Sequence, residues 1–192
     1  EVGIELINTI EERKQILLNT GIDHLIVYPF TKEFSRLSAK EYIEEVLVKK
    51  LHAKKVIIGY DHRFGRNRNA NIEDLRKYGK EYGFEVEEIS KQDVDEVAVS
   101  STKIRKALQE GNIEKANSYL GSHFLLTGKI VKGKGIGKDL GFPTANLKIE
   151  EAYKLIPKTG VYVVKAEIDN EEVFGMMNIG YNPTVGGSEK TI

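Results

Sequence analysis

The pattern of predicted helices and strands changes near residue 122, and this change most limits the folds open to the chain. Up to about residue 90, segments with apolar residues at helical spacing alternate with short apolar runs typical of strands. Such alternation predicts parallel β-α-β units and hence a doubly wound α/β layer. From Phe124 onward short β-runs follow one another, so we predict a second, all-β domain beginning near residue 122.

Explicit signals mark the helix starts of the first domain. Thr9 with Glu12, and Ser38 with Glu41, have the spacing of a capping box, in which a hydroxyl and a carboxylate satisfy the first amides of a helix. A third helix is predicted to begin at Asn71. Strands are predicted for three runs, the first of them buried: HLIVYPF (24–30), VIIGY (56–60) and FEVEEI (84–89).

The remaining elements follow from glycine stops and β-runs. Two helices are predicted between residues 100 and 121, with Gly111 and Gly121 as their stops. Asp169-Asn170 is a plausible hairpin turn between two of the later strands. The predicted β-runs are FLLTGKIV (124–131), GVYVVKAEI (160–168) and EVFGMMNIG (172–180).

Composition narrows the classes of function. Lys+Arg and Asp+Glu balance at 29 each, so no global basic excess favours nucleic acid or an anionic membrane as a partner. The absence of cysteine excludes disulfides, thiolate catalysis and cysteine-ligated metals. No apolar run approaches the roughly 18 residues of a membrane span, and EVGIELINTI does not resemble a signal peptide. We expect a cytoplasmic protein, and its oligomeric state is left open.

The first candidate site is VIIGYDHRFG (56–65). In open α/β sheets, ligands bind beyond the carboxyl ends of the strands, and the turn from Gly59 to Gly65 follows such an end. Asp61 and Arg63 are therefore candidates to face a ligand. An ordinary polar loop, with glycines serving its turns, is the alternative. His62 is not expected to bind a metal, because no partner ligand stands at a recognisable spacing.

The second candidate site is VSSTKIRKAL (99–108). Unpaired amides at a helix N-terminus, beside the hydroxyls of Ser101 and Thr102, favour a phosphate, and Arg105 lies one turn further on. The alternative is simple capping of the helix by a serine. Capping explains one serine of this run but not all of the hydroxyl residues.

The third candidate site is GKGIGKDLGFPTANL (133–147). Its glycines would let backbone amides approach a phosphate, and its lysines would supply charge. The stretch has no Walker pattern, and a solvated hairpin loop remains an alternative. The residues predicted to contact nucleotide phosphates here are Gly133, Lys134, Gly135, Gly137 and Lys138.

The end of the same stretch suggests a metal site. Thr144 and Asn146, alternating along an extended segment after Pro143, would place both side chains on one face. Two neutral oxygens on one face can share Mg²⁺ with phosphate oxygens.

Together, GYDHRFG, SSTKIR and GKDLGFPTAN resemble the bacterial bifunctional riboflavin kinase/FMN adenylyltransferases, also called FAD synthetases, and MMNIGYNPT (176–184) resembles a further family segment. The resemblance runs through essentially the whole chain. It implies a Rossmann-like nucleotidyltransferase domain over residues 1–121 and a riboflavin kinase β-barrel over 122–192. It further implies phosphorylation of riboflavin to FMN and adenylylation of FMN to FAD, with ATP and Mg²⁺ in both steps.

Departures from the family pattern lead to further expectations. The family's His-x-Gly-His motif does not occur, and the glutamate that serves as the kinase base would lie beyond Ile192, so no catalytic residue is assigned. Both domains are therefore expected to be incomplete, in either a truncated chain or the middle of a longer one. His62 replaces a common Phe, and Lys138 a common Arg, with loss of bidentate geometry. A non-catalytic nucleotide- or flavin-binding module is the alternative function.

Overall fold

The computed structural model describes residues 3–90, 93–94, 97–133, 141, 144–181 and 190–192. The chain packs as two units, one formed by Glu1–Leu25 with Val99–Ile192 and the other by Ile26–Ala98. The first unit thus joins the N-terminal helix to the β-rich part of the chain. The domain boundary expected near residue 122 is a division by sequence pattern and stays a prediction.

The helices are α1 (Ile10–Leu18), α2 (Lys32–Ser35), α3 (Ala39–Tyr42), α4 (Ile72–Tyr82), α5 (Ser101–Glu110) and α6 (Ile113–Leu120), with a π-helix at Ile43–Lys50 and a 3₁₀ turn at Arg66–Arg68. The strands are β1 (Lys55–Gly59), β2 (Glu85–Ile89), β3 (Asp93–Val94), β4 (Val97–Ala98), β5 (Lys129–Val131), β6 (Asn146–Lys148), β7 (Gly160–Ile168), β8 (Glu171–Tyr181) and β9 (Lys190–Thr191). Helical segments precede the first strand, and β2, β3 and β4 follow one another after α4.

The predicted helix starts are confirmed. Both capping boxes form, at the N-termini of α1 and α3. The Asn71 side chain caps α4, which ends at Gly83 with a φ of 77°. The helix after Ser38 also forms, but beyond Tyr42 it continues as a π-helix. Local capping chemistry therefore predicts where these helices begin.

The β-α-β prediction is confirmed for the segment from β1 through α4 to β2. These two strands pair in parallel, with Val56 opposite Val86. The core of this unit lies where the π-helix and α4 cover the strands, and its buried residues are Ile43, Leu47, Phe64, Ala70, Leu75 and Phe84.

The predicted buried strand at residues 24–30 is wrong. This stretch has no regular secondary structure, and its apolar side chains are exposed, with Phe30 at 79% and Ile26 at 60%. A strand requires a neighbour for its backbone amides and carbonyls, and β1 and β2 pair only with each other among the described strands. Apolar composition without a pairing partner does not make a strand.

The other unit combines α1, α5 and α6 with the later strands. Its core is formed by Ile104, Ala107, Leu108, Ala116 and Leu155. β7 and β8 form the predicted hairpin, and its turn residues Asp169 and Asn170 both have positive φ, as a type I′ turn requires. Only the last three residues of the predicted run 124–131 form a strand, β5.

The described strands of this unit do not close into a barrel. β5 pairs with β6, and β7, β8 and β9 form a separate three-stranded sheet. The Leu147 amide of β6 donates a hydrogen bond to the Ile192 carbonyl just after β9, at 2.8 Å. This bond brings the two sheets together at one edge. Within the described ranges, no helix has the length and apolar character needed to cross a membrane.

Candidate functional sites

The turn after β1 carries the first group of predicted site residues. Gly59 ends the strand, and its carbonyl accepts a hydrogen bond from the His62 amide at 3.1 Å. The side chains of Asp61, His62 and Arg63 are exposed. The chain therefore turns sharply at the carboxyl end of β1 and presents three polar side chains in succession.

These side chains line a cavity of about 480 Å³ that lies within the 26–98 unit. Asp61, Arg63 and Gly65, predicted from the sequence, line it together with His62. Gly59 is not among its lining residues. The structure thus brings three of the four predicted residues of this motif to one cavity.

Aromatic rings line the same cavity. Phe34 lies with its ring centroid 5.6 Å from that of Phe30 and 6.0 Å from that of Tyr42. Tyr42 in turn lies 6.0 Å from Phe64, and His62 stacks on Phe64 at 6.2 Å with an interplanar angle of 18°. Burial raises the pKa of the Tyr42 hydroxyl. This row of rings gives the cavity a largely apolar, aromatic wall, in which Phe34 meets Phe30 and Tyr42 edge to face.

Packing explains the glycine at position 65. It has a φ of +73°, and a Cβ there would lie 2.8 Å from the Ala39 amide nitrogen. The following Arg66 amide donates to the Leu37 carbonyl at 2.7 Å. Gly65 therefore allows the turn to pack closely against the start of α3, which is a structural role as well as a place in the cavity wall.

Arg68 also lines the cavity, and the sequence reasoning missed it. It lies in a loop closed by mutual backbone hydrogen bonds between Phe64 and Ala70, and its φ is +53°. The repeated arginines of RFGRNRN indicate a positively charged segment. The sequence does not indicate which of these arginines lines the cavity. That orientation depends on the left-handed backbone of the loop.

The start of α5 carries the second group of predicted site residues, Ser101, Thr102 and Arg105. Ser100 is the N-cap and accepts a hydrogen bond from the Lys103 amide, while Ser101 and Thr102 are exposed in the first turn. Arg105 donates its Nε to the Glu5 carbonyl at 2.9 Å. Part of the Arg105 guanidinium therefore holds the N-terminal segment of the same unit.

In the third motif, the structure brings Gly133 and Asn146 together. β5 and β6 pair with Val131 opposite Asn146, and a Cβ at Gly133 would lie 2.1 Å from Asn146 Nδ2. A side chain at position 133 would displace the Asn146 amide from its present place. Thr144 is exposed, two residues before Asn146. Five further predicted residues lie outside the described ones: Lys134, Gly135, Gly137, Lys138 and Pro143.

Among the residues that the structure describes, no group of three or more His, Asp or Glu side chains could hold a metal ion. The oxygens of Thr144 and Asn146 are hard, neutral donors of the kind that Mg²⁺ accepts beside phosphate oxygens. Two such donors fit a magnesium ion that is bound mainly through a nucleotide.

Both the N-terminal and the C-terminal part of the chain match known protein families. Residues 2–103 match the FAD synthetase family, and residues 120–192 match the riboflavin kinase family. The bifunctional riboflavin kinase/FMN adenylyltransferase of Listeria monocytogenes is 38% identical over 94% of this chain and 57% of its own length. The Escherichia coli K12 protein of the same name is 35% identical over 93% of this chain and 56% of its length.

A solved structure has the same fold. A chain described as a macrolide-efflux protein from Streptococcus pneumoniae superposes with a TM-score of 0.82 and 32% identity, over 96% of this chain and 59% of that chain. The chain belongs to the bifunctional riboflavin kinase/FMN adenylyltransferase family. It spans a little over half the length of the curated relatives it matches.

Proposed function

We propose that this chain forms part of an enzyme that makes FMN and FAD. In one reaction, riboflavin and ATP give FMN and ADP; in the other, FMN and ATP give FAD and pyrophosphate. The observation that carries the proposal is the aromatic cavity beside Asp61, Arg63 and Gly65, in the part matched to FAD synthetase. Both reactions are transfers at phosphorus, in which positioning and charge neutralisation do most of the work.

The flavin is proposed to bind in this aromatic cavity. Its planar ring system can stack on the exposed Phe30 ring of the aromatic wall and meet the neighbouring Phe34 ring edge to face, and aromatic pairs favour both arrangements. Arg63 and Arg68 line the same cavity and would attract the FMN phosphate. The cavity volume of about 480 Å³ lies within the range typical of small-molecule sites.

The ATP phosphates are proposed to bind at the start of α5. There the exposed hydroxyls of Ser101 and Thr102 lie beside the first amides of a ten-residue helix. Arg105 already donates Nε to Glu5, so a phosphate contact from it would use its terminal nitrogens. Its planar fork can make both contacts at once.

For the kinase reaction, we propose that residues 122–192 contribute to a riboflavin kinase β-barrel. The hydrogen bond between Leu147 and Ile192 supports this, since it links the two sheets. Gly133 and the lysines after it would contact ATP phosphates, while Thr144 and Asn146 would hold Mg²⁺. When bound, the ion would neutralise phosphate charge. The chain's own part is to orient the nucleotide.

Flavin fluorescence tests the cavity assignment. FMN is titrated with the wild-type protein, with Phe30→Ser and with Phe174→Ser; these two phenylalanines are 79% and 71% exposed, so both changes should spare folding. We expect Phe30→Ser to weaken FMN binding about tenfold, the value of one aromatic stacking contact, and Phe174→Ser to leave it unchanged.

Equal affinity in all three proteins would contradict the flavin site. Chromatography of the products with ATP and magnesium present then separates binding from turnover. Formation of FMN from riboflavin, or of FAD from FMN, supports the enzymatic proposal. Flavin binding without either product favours a non-catalytic binding module.

A further inference from the structure

A buried ion pair joins two distant parts of the chain. Lys154 Nζ lies 2.5 Å from Glu12 Oε2, and both side chains are completely buried. Glu12 belongs to α1, in the part matched to FAD synthetase, whereas Lys154 belongs to the part matched to riboflavin kinase. The contact therefore crosses the boundary between the two family matches, although both residues lie in one packed unit.

Hydrogen bonds surround both charges. Lys154 Nζ also donates to the carbonyls of Ile7 and Leu125, each at 2.6 Å, and lies 4.4 Å from the centroid of the Phe124 ring. The three protons of the ammonium group therefore each have an acceptor. Burial lowers the pKa of Lys154, and the hydrogen bond to Glu12 opposes that shift.

The carboxylate of Glu12 is held from both sides of the same boundary. Its Oε1 accepts a hydrogen bond from the Thr127 amide, and its Oε2 accepts one from the Thr9 amide, each at 2.9 Å. Because one side chain satisfies amides at residues 9 and 127, displacing α1 would leave buried polar groups in both parts without partners.

A second link is formed by the backbone. The Leu6 amide donates to the Tyr153 carbonyl at 2.6 Å, and the Leu155 amide donates to the Leu6 carbonyl at 2.8 Å, as in a short parallel bridge. Leu155 is completely buried in the core of this unit. The residues just before α1 are thus attached to the chain on both sides of Lys154.

We propose that the part matched to riboflavin kinase uses residues 5–18 as an intramolecular docking partner, so that this segment and residues 124–127 and 153–155 open and close together. The feature of residues 5–18 that is recognised is the start of α1, where the buried Glu12 carboxylate neutralises Lys154. Dividing the chain between the two family matches would remove that carboxylate and leave a lysine buried without its counter-ion.

Hydrogen exchange of the full chain tests this proposal. Glu12→Gln should lower the protection of amides in 124–127 and 153–155 at least about 100-fold, because it leaves a buried charge uncompensated. Amides of α4 and β2 in the 26–98 unit provide an internal reference. Glu11→Gln is the matched control, since the neighbouring Glu11 pairs with Lys14 in solvent. Protection of 124–127 and 153–155 that is equal in the two variants would overturn the proposal.

Hydrogen exchange of the wild-type chain in increasing denaturant is a second test. It does not depend on whether a variant folds. If the proposal holds, a single opening reaction exposes the most protected amides of α1 together with the amides of Thr127 and Leu155. All of these amides then exchange with a common free energy of opening. Opening of α1 at lower denaturant, with Thr127 and Leu155 still protected, would show that α1 is peripheral to the other segments.

Discussion

The capping boxes of α1 and α3 have the same sequence signal and nearly the same local geometry, but different surroundings. In α1 the Thr9 amide donates to Glu12 at 2.9 Å, and the Glu12 amide donates to the Thr9 hydroxyl at 3.1 Å. In α3 the corresponding distances between Ser38 and Glu41 are 2.8 and 3.2 Å. Glu12 is completely buried, whereas Glu41 is exposed.

The difference lies in what the carboxylates do besides capping. Glu41 satisfies the start of its own helix at the protein surface. Glu12 also pairs with Lys154 and accepts the Thr127 amide, which are 142 and 115 residues away in sequence. A capping motif therefore specifies a helix start, and tertiary packing decides whether the same carboxylate also joins distant segments.

The largest expected effect contrasts the two glutamates. Glu12→Gln should lower the free energy of unfolding by about 3 kcal/mol or more, because Lys154 would be left buried without its counter-ion. Glu41→Gln should have a much smaller effect, because its carboxylate is solvated. Urea denaturation followed by circular dichroism measures both. Similar losses in the two variants would mean that burial does not distinguish the boxes.

The two capping hydroxyls should differ less. Ser38→Ala removes an exposed cap and should cost about 1 kcal/mol. Thr9→Ala should cost nearer to about 2 kcal/mol, because Thr9 is 2% exposed and its loss leaves the Glu12 amide without its hydroxyl acceptor in a buried site. The same denaturation experiment compares them, with Thr20→Ala, an exposed threonine after α1, as a control. A larger loss of unfolding free energy in Ser38→Ala than in Thr9→Ala would contradict the expected effect of burial.

The smallest expected effect concerns the titration of Glu41. Hydrogen bonds from the Ser38 backbone amide, and then from its side chain, hold the pKa of the Glu41 carboxyl below its ordinary value. A lowered folded-state pKa stabilises the protein above the unfolded-state value, and this stabilisation is lost as the pH falls through the folded-state pKa. NMR titration of Ser38→Ala should show only part of the pKa decrease removed, because the backbone amide remains. Complete removal would mean that the hydroxyl is the main cause.

Local chemistry made much of the fold predictable. Capping residues identified the starts of α1, α3 and α4, and glycines the ends of α5 and α6. The Asp169-Asn170 turn was predictable because these residue types tolerate the positive φ of a tight hairpin. Sheet topology likewise led to the prediction of Asp61, Arg63 and Gly65, which line one cavity in the structure.

Non-local contacts account for the failures. The apolar run at 24–30 matches a strand pattern, yet no described strand pairs with it. The contact of the Arg105 Nε with the Glu5 carbonyl, 100 residues away, could likewise not be read from the local sequence, and its phosphate contact stays a prediction. Arg68 faces the cavity because of a left-handed loop that its own residue type does not demand.

By itself, the sequence determined the starts of α1, α3 and α4, the hairpin turn and the motifs that lead to the family, because each depends on residues close together in the chain. Only the tertiary structure decided that Glu12 and Lys154 form a buried pair, and that aromatic residues from 30 to 64 line one cavity with Asp61 and Arg63. The physical reason is that burial and pairing depend on which segments meet. Helix caps and turns depend on backbone geometry over four or five residues.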